Sequence, residues 1–151
     1  MQNEDRILTA LLLLGGVPPL ISGLLASAAP LWYLGLTGVT EVVGPAARDA
    51  MAFLWHLQGG DAAVAGAARV AVALLGGLLL KRLMVAMIVV HSGYEIWLLP
   101  SHAFPWCAAH EGVCTPLYVA ELWAFLALHL VLVAGGLWAL ARGYAVNRAA
   151  I

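Results

Sequence analysis

Four long apolar stretches divide the chain, and shorter segments rich in polar residues, glycine or proline separate them. They extend over residues 7–29, 62–80, 83–99 and 117–141. A bilayer core about 30 Å thick requires about 20 apolar residues in a helix, and each stretch approaches or exceeds this length. Alanine and leucine dominate all four, without the alternation of apolar and polar residues that is typical of a transmembrane strand. The pattern therefore predicts four transmembrane helices.

The composition also favours a membrane location. Of the 151 residues, 64% are hydrophobic and 10% are charged, whereas a soluble domain carries about 25% charged residues. A net charge of −1 excludes a basic nucleic-acid-binding surface, so no nucleic-acid partner is expected. We therefore predict a single all-α domain, an integral membrane four-helix bundle with membrane lipid among its partners.

The basic residues predict the orientation, because Lys and Arg are enriched on the cytoplasmic side of membrane proteins. Lys81 and Arg82 lie in the predicted turn between spans 2 and 3, and only Arg48 lies on the opposite side. Three further basic residues flank the predicted spans on the side of that turn: Arg6, Arg142 and Arg148. Both termini are therefore expected in the cytoplasm, with residues 30–61 and 100–116 as outer loops of a protein in the cytoplasmic (inner) membrane.

Two local features refine this topology. Apolar residues recur at helical spacing over residues 45–57, which predicts a short amphipathic helix on the outer membrane surface. Asp61 follows Gly59-Gly60 and is expected to cap span 2, with its side-chain oxygen accepting a hydrogen bond from a backbone N–H. Within span 1, the consecutive prolines Pro18 and Pro19 remove two backbone donors and predict a kink or a local break. The kinked helix could pack on its neighbours, or the break could line a ligand crevice.

Five ionisable residues fall within the predicted spans, where a charge is costly and usually faces the bundle interior. They are Arg69, His91, Glu95, Glu121 and His129. Small residues share a helical stripe with Arg69, which indicates a packed face. Because an unpaired buried charge is strongly unfavourable, Arg69 is expected to pair with Glu95 or Glu121. Glu95 is favoured because a short turn joins spans 2 and 3, and His91 would complete the cluster.

This predicted cluster is compatible with several roles. It could be a structural ion pair that locks the bundle, or a site for a quinone, a lipid head group or a proton. His91 and His129 lie near the middle of their spans, so they could also ligate a haem iron or a chlorophyll-type magnesium. A histidine that only forms a hydrogen bond across a helix interface is the alternative. No local motif decides among these cofactors.

The second predicted outer loop contains both cysteines, Cys107 and Cys114. Thiols that face an oxidising compartment normally form a disulfide, which is the predicted state here. His102 and His110 lie in the same loop, so a zinc or copper site made of two imidazoles and two thiolates is the alternative. The spacing of these four residues departs from the zinc-finger patterns. Thiol–disulfide catalysis is disfavoured because the loop lacks a Cys-x-x-Cys motif.

Two features of residues 12–80 carry a family resemblance. The glycine-rich first span runs to Ala29-Pro30-Leu31-Trp32, and Gly59-Gly60 precedes a second span rich in alanine and glycine. In these features the chain resembles the DoxX-like group of small four-helix bacterial membrane proteins. The resemblance implies a bacterial membrane. Some members of that group are membrane partners of other proteins, and some are linked to quinone-coupled sulfur oxidation. No catalytic residue can be transferred, because the matching positions are small or apolar.

Taken together, these features favour a non-catalytic accessory or structural subunit of a larger membrane protein complex, with other membrane subunits as partners. The first alternative is a redox membrane protein that binds quinone, haem or a pigment through the predicted Arg/His/Glu cluster. The second is a metal- or lipid-handling protein that uses the outer Cys/His loop. A solute carrier is disfavoured because the halves of the chain show no inverted repeat.

Overall fold

The computed structural model describes residues 2–37, 45–109, 114 and 116–148. Nearly all of these residues are helical and none forms a strand, which confirms the predicted all-α class. In chain order the helices are α1 (Gln2–Ala28), α2 (Pro30–Thr37), α3 (Pro45–Leu75), α4 (Leu78–Leu98), a π-helical segment (Leu99–Ala103), α5 (Phe104–Ala109) and α6 (Pro116–Arg148).

Three helical segments in the described part of the chain are long and apolar enough to cross a membrane. They are α1, the segment Leu78–Ala109 that includes α4, and residues Pro116–Gly143 of α6. These segments contain three of the four predicted spans. The predicted span 62–80 lies mostly in α3, which is not among the three.

Helix α1 is the central helix of the fold. It packs along most of its length against α3, and it also contacts both α4 and α6. Helices α4 and α6 pack closely against each other, whereas α3 barely touches α4. Buried apolar side chains from α1, α4 and α6 form most of the core: Leu8, Leu12, Val85, Ile88, Leu132 and Ala139. As a result, α3 is a peripheral helix that leaves much of its surface outside the bundle.

Glycines let α1 and α3 approach until their backbones are in contact. A Cβ atom on Gly59 would lie 2.6 Å from the backbone N of Ser27 and 2.7 Å from the carbonyl O of Gly23. A Cβ atom on Gly66 would lie 2.6 Å from the carbonyl O of Gly16. The contacts pair earlier residues of α1 with later residues of α3, so the two helices are antiparallel. Small residues at such an interface permit close packing without side-chain interdigitation.

The structure corrects the predicted start of span 2. Helix α3 runs through Gly59-Gly60 without interruption, so the predicted surface helix 45–57 is the first part of α3 rather than a separate element. Asp61 accordingly lies inside a helix and does not cap one. The physical reason is the close contact between α1 and α3, because Gly59 provides space for the α1 backbone within a continuous helix.

The turn between the second and third predicted spans also differs from the prediction. It lies at Gly76-Gly77, where Gly77 has an extended backbone (φ −73°, ψ 166°) and precedes α4. Lys81 and Arg82 were predicted to lie in this turn, but they lie in the first turns of α4. Helix α4 therefore begins before the predicted span 83–99.

Acidic residues near the start of α1 explain the positions of these two basic residues. Lys81 is only 6% exposed, and its Nζ donates hydrogen bonds to Asp5 and Thr9, both at 2.9 Å. Arg82 lies 2.6 Å from Glu4 in a second ion pair. The start of α1 and the start of α4 therefore lie at one end of the molecule. The position of that end relative to the two sides of the membrane stays a prediction.

Candidate functional site

Helix α1 continues through Pro18 and Pro19 rather than breaking there. In a regular α-helix the carbonyl of residue 15 accepts a hydrogen bond from the N–H of residue 19, but proline has no N–H to donate. The Gly15 carbonyl accepts a hydrogen bond from Arg69 of α3 instead, with Nη1 at 2.7 Å. Arg69 thus replaces the backbone donor that Pro19 lacks.

This hydrogen bond takes the place of the ion pair predicted for Arg69. In the described residues neither Glu95 nor Glu121 lies within ion-pair distance of a basic side chain, so the predicted pairing is wrong. The prediction assumed that spans 2 and 3 pack side by side. Helices α3 and α4 barely touch, while α1 contacts both, so Arg69 meets α1 rather than α4.

The structure does bring together the two histidines predicted for the bundle interior. The ring centroids of His91 and His129 are 5.9 Å apart in an edge-on arrangement. His129 is 5% exposed, and the Phe125 ring packs against it at 4.8 Å. Neither ring nitrogen of His129 has a hydrogen-bond partner in the described part of the chain. Since buried polar groups are nearly always hydrogen-bonded, this imidazole indicates a missing partner.

Ser92, which directly follows His91, was not predicted from the sequence as a site residue. Its side chain is 0% exposed, and its hydroxyl has no hydrogen-bond partner among the described residues. Ser92 follows Val85 and Ile88 on the buried stripe of α4. The serine at the next position of an otherwise apolar helical stripe could have indicated this buried hydroxyl.

These polar residues lie at one level of the bundle. A Cβ atom on Gly15 would lie 3.4 Å from a methyl group of Ile88 and from one of Leu132. Ser92 follows Ile88 by one helical turn, and His129 precedes Leu132 by one turn. Because α4 and α6 are antiparallel, Ser92 and His129 are displaced in the same direction along the bundle. The Gly15 carbonyl that binds the arginine also points in this direction. We refer to four residues as the central polar cluster: Arg69, His91, Ser92 and His129.

A shallow groove on α4 leads away from this cluster. Its lining consists of Ala86, Met87, Val90 and His91. The first three residues are apolar, and His91 is exposed at the groove end nearest the cluster. In a membrane this groove would open towards the lipid.

The two cysteines form the predicted disulfide. Cys107 and Cys114 are bonded, with their Cα atoms 5.5 Å apart. His102 contacts the Ser101 hydroxyl through Nδ1 at 2.7 Å, and its ring packs on Trp97 at a centroid distance of 5.3 Å. The alternative metal site would also need His110, which lies outside the described residues. Within the described part of the chain no group of three or more His, Cys, Asp or Glu residues could hold a metal ion.

Comparison with known proteins assigns no family to the chain. No protein-family model, curated protein or solved structure matches it. The resemblance to the DoxX-like group stays a prediction, and the functional proposals rest on the geometry of the chain itself.

Proposed function

We propose that this chain is a non-catalytic subunit of a larger membrane protein complex and that four of its helices cross the membrane. Helix α3 follows α1 from Gly59, beside Ser27, to Ala73, which packs in the core that includes Leu12. At a rise of 1.5 Å per residue this stretch of α3 is about 21 Å long. Because α1 is itself a candidate span, α3 would cross most of the same apolar layer beside it.

The surface of α3 that faces away from α1 is the observation that supports a subunit role. The exposed surfaces of α1, α4 and α6 carry many large apolar side chains, as lipid-facing helices do. The middle of the corresponding stripe of α3 is mostly small and includes a carboxylate: Asp61, Val64, Ala65, Ala68 and Ala71. Larger exposed apolar side chains lie on α3 before and after this part: Phe53, Leu54, Leu57, Leu74 and Leu75. Small residues on a transmembrane surface are typical of helix–helix contacts. This stripe therefore fits another protein helix better than lipid.

Site-specific photo-crosslinking in native membranes tests the subunit proposal. A benzophenone amino acid replaces Ala68 on the outer stripe of α3, and the matched control replaces Ala127 on the exposed side of α6. The subunit proposal predicts one discrete adduct with a different protein from position 68, and lipid adducts from position 127. Lipid adducts alone from both positions, or an adduct only with a second copy of this chain, would contradict it.

We also propose that the end holding Glu4 and Lys81 faces the cytoplasm of a bacterial inner membrane. This proposal is supported by the greater number of basic residues near that end of the molecule, where the starts of α1 and α4 meet the last part of α6. A single cysteine introduced at Asn3 should react with an impermeant maleimide only after the membrane is opened. Reaction in intact cells would show the opposite orientation.

A second candidate function is a redox protein that binds quinone, haem or a pigment. The buried His129, with no partner for either nitrogen in the described residues, favours it. The structure leaves Glu95 and Glu121 outside the central polar cluster, so the ligand would be held by Arg69, His91 and His129. An absorption spectrum of the purified protein tests this candidate. A Soret or chlorophyll-type band that is lost on His129→Leu would support it, and a spectrum of tryptophan alone would contradict haem and pigment binding.

A further inference from the structure

We propose that the central polar cluster binds the carboxylate of a membrane-soluble amphiphile, such as a long-chain fatty acid, whose alkyl chain lies in the α4 groove. This site lies on a different side of α1 from the outer stripe of α3. It goes beyond the subunit proposal and does not depend on it.

The first support is the charge of Arg69. A guanidinium has five N–H donors, and in the described chain only Nη1 of Arg69 has an acceptor, the neutral Gly15 carbonyl. The described carboxylates that form ion pairs, Asp5 and Glu4, bind Lys81 and Arg82 instead. A cation within a membrane span normally pairs with an anion or another polar group. The missing partner of this cluster is therefore expected to be negatively charged.

The second support is the set of hydrogen-bonding groups around this charge. Both nitrogens of His129 and the hydroxyl of Ser92 are buried without partners in the described part of the chain. The His91 ring lies beside His129, with the ring centroids 5.9 Å apart, and Arg69 binds the Gly15 carbonyl at the same level of the bundle. The two oxygens of a carboxylate offer about four lone-pair sites, enough for a guanidinium, an imidazole N–H and a hydroxyl together. A neutral quinone would leave the arginine charge uncompensated.

The third support is the groove on α4, which favours a lipid over a protein as the source of the carboxylate. It runs from His91 past Val90 and Met87 to Ala86, about 7.5 Å along the helix axis. A partner helix has a diameter of about 10 Å and would contact a much broader surface. A single alkyl chain needs only a narrow apolar surface, which Ala86 and the largely exposed Met87 and Val90 provide. His91 is exposed where the channel meets the cluster, so the head group can enter from the lipid.

The experiment measures binding of carboxyl-labelled oleate to the full-length, delipidated protein in nanodiscs of uncharged lipid. Oleyl alcohol, which has the same chain without the carboxylate, is the ligand control. Wild-type protein should bind oleate saturably and oleyl alcohol at least about tenfold more weakly, as expected for the loss of a charge-assisted hydrogen bond. Equal binding of the two ligands would overturn the proposal.

Protein variants locate the site. Arg69→Gln should weaken oleate binding by about tenfold or more, whereas Arg142→Gln, near the end of α6, should leave binding unchanged. Because Arg69→Gln could also disturb folding, a second pair of variants leaves Arg69 in place and changes the half-buried Ala86 and the exposed Ala127. Ala86→Phe fills the groove and should weaken oleate binding, while the matched Ala127→Phe on α6 should not.

The proposed path of the alkyl chain would be overturned if Ala86→Phe bound oleate with wild-type affinity. It would also be overturned if Ala86→Phe and Ala127→Phe weakened oleate binding equally. Photo-crosslinking from position 90 distinguishes the source of the carboxylate. A radiolabelled fatty-acid adduct supports the proposal, and an adduct with a protein in its place would overturn it. A protein adduct from position 90 would leave the crosslink expected from position 68 unaffected. The fatty-acid proposal and the subunit proposal can therefore be refuted separately.

Discussion

Replacing Gly59 with alanine should separate α1 from α3, whereas the same change at the next residue should stabilise the protein. The Cβ atom at position 59 would lie 2.6 Å from the N of Ser27 and 2.7 Å from the carbonyl O of Gly23, and both are backbone atoms. At Gly60 the nearest such contact is the Ser27 Oγ, 4.0 Å away. A methyl group therefore fits at position 60 but not at position 59.

The expected effects have opposite signs. Alanine gains about 0.8–1.0 kcal/mol over glycine in a helix interior, and this gain applies to both variants. Overpacking opposes it only at Gly59 and costs about 1–3 kcal/mol or more. Gly60→Ala should therefore raise the free energy of unfolding by about 1 kcal/mol, and Gly59→Ala should lower it by up to about 2 kcal/mol. The difference between the two variants is independent of helix propensity.

Thermal unfolding in one detergent, followed by circular dichroism, measures this difference. For a chain of this size a change of 1 kcal/mol moves Tm by about 2–4 °C. We expect Gly60→Ala to have the highest Tm, wild type an intermediate Tm and Gly59→Ala the lowest Tm. Equal Tm values for the two variants would refute the backbone contact between α1 and α3. They would also remove the support for the placement of Arg69, which depends on that contact.

Three further predictions follow from the contacts described above. Pro19→Ala restores a backbone N–H that can bind the Gly15 carbonyl. The loss of unfolding free energy caused by Arg69→Met should therefore be about 1–2 kcal/mol smaller in the Pro19→Ala background than in wild type. Equal losses in the two backgrounds would contradict the replacement of one donor by the other. The two cysteines should resist alkylation until a reductant is added, and two thiols alkylated without reductant would contradict the disulfide. Asp5→Asn should destabilise the protein by about 1–3 kcal/mol because it removes the anion that pairs with the buried Lys81. The control Arg6→Gln changes an exposed residue and should alter stability by less than about 0.5 kcal/mol. Equal effects of the two substitutions would contradict the buried ion pair.

The all-α class and the disulfide were predictable because each depends on local information. Long apolar stretches rich in alanine and leucine predict helices without reference to tertiary contacts. Cys107 and Cys114 are close in sequence, so their pairing required only an oxidising environment and no long-range packing. Both predictions agree with the structure.

The two glycine pairs show where local information was insufficient. Gly59-Gly60 and Gly76-Gly77 are each compatible with a turn or with close helix packing. A helix start after Gly59-Gly60 and a turn at Lys81-Arg82 were predicted, but α3 continues through the first glycine pair and the turn lies at the second. The choice depends on where α1 lies, because its backbone occupies the space beside Gly59.

Arg69 illustrates a similar limit in the candidate site. Its stripe of small residues correctly predicted that it faces another helix. The predicted partner was wrong because only side-chain carboxylates were considered as acceptors. The relevant acceptor is a backbone carbonyl, made available by a proline four residues further along α1. This contact could have been predicted from two features of the sequence. One is a proline in the middle of one span, and the other is an arginine in the middle of the next, antiparallel span.

The most direct test of the subunit proposal is the mass of the assembly extracted from native membranes into lipid nanodiscs without detergent. The proposal predicts that the 15.9 kDa chain is released with a different protein at fixed stoichiometry. It also predicts that Ala65→Leu with Ala68→Leu, which enlarges the outer stripe of α3, dissociates that assembly while the isolated chain keeps its helical content. Recovery of the wild-type chain with lipid alone would contradict the proposal.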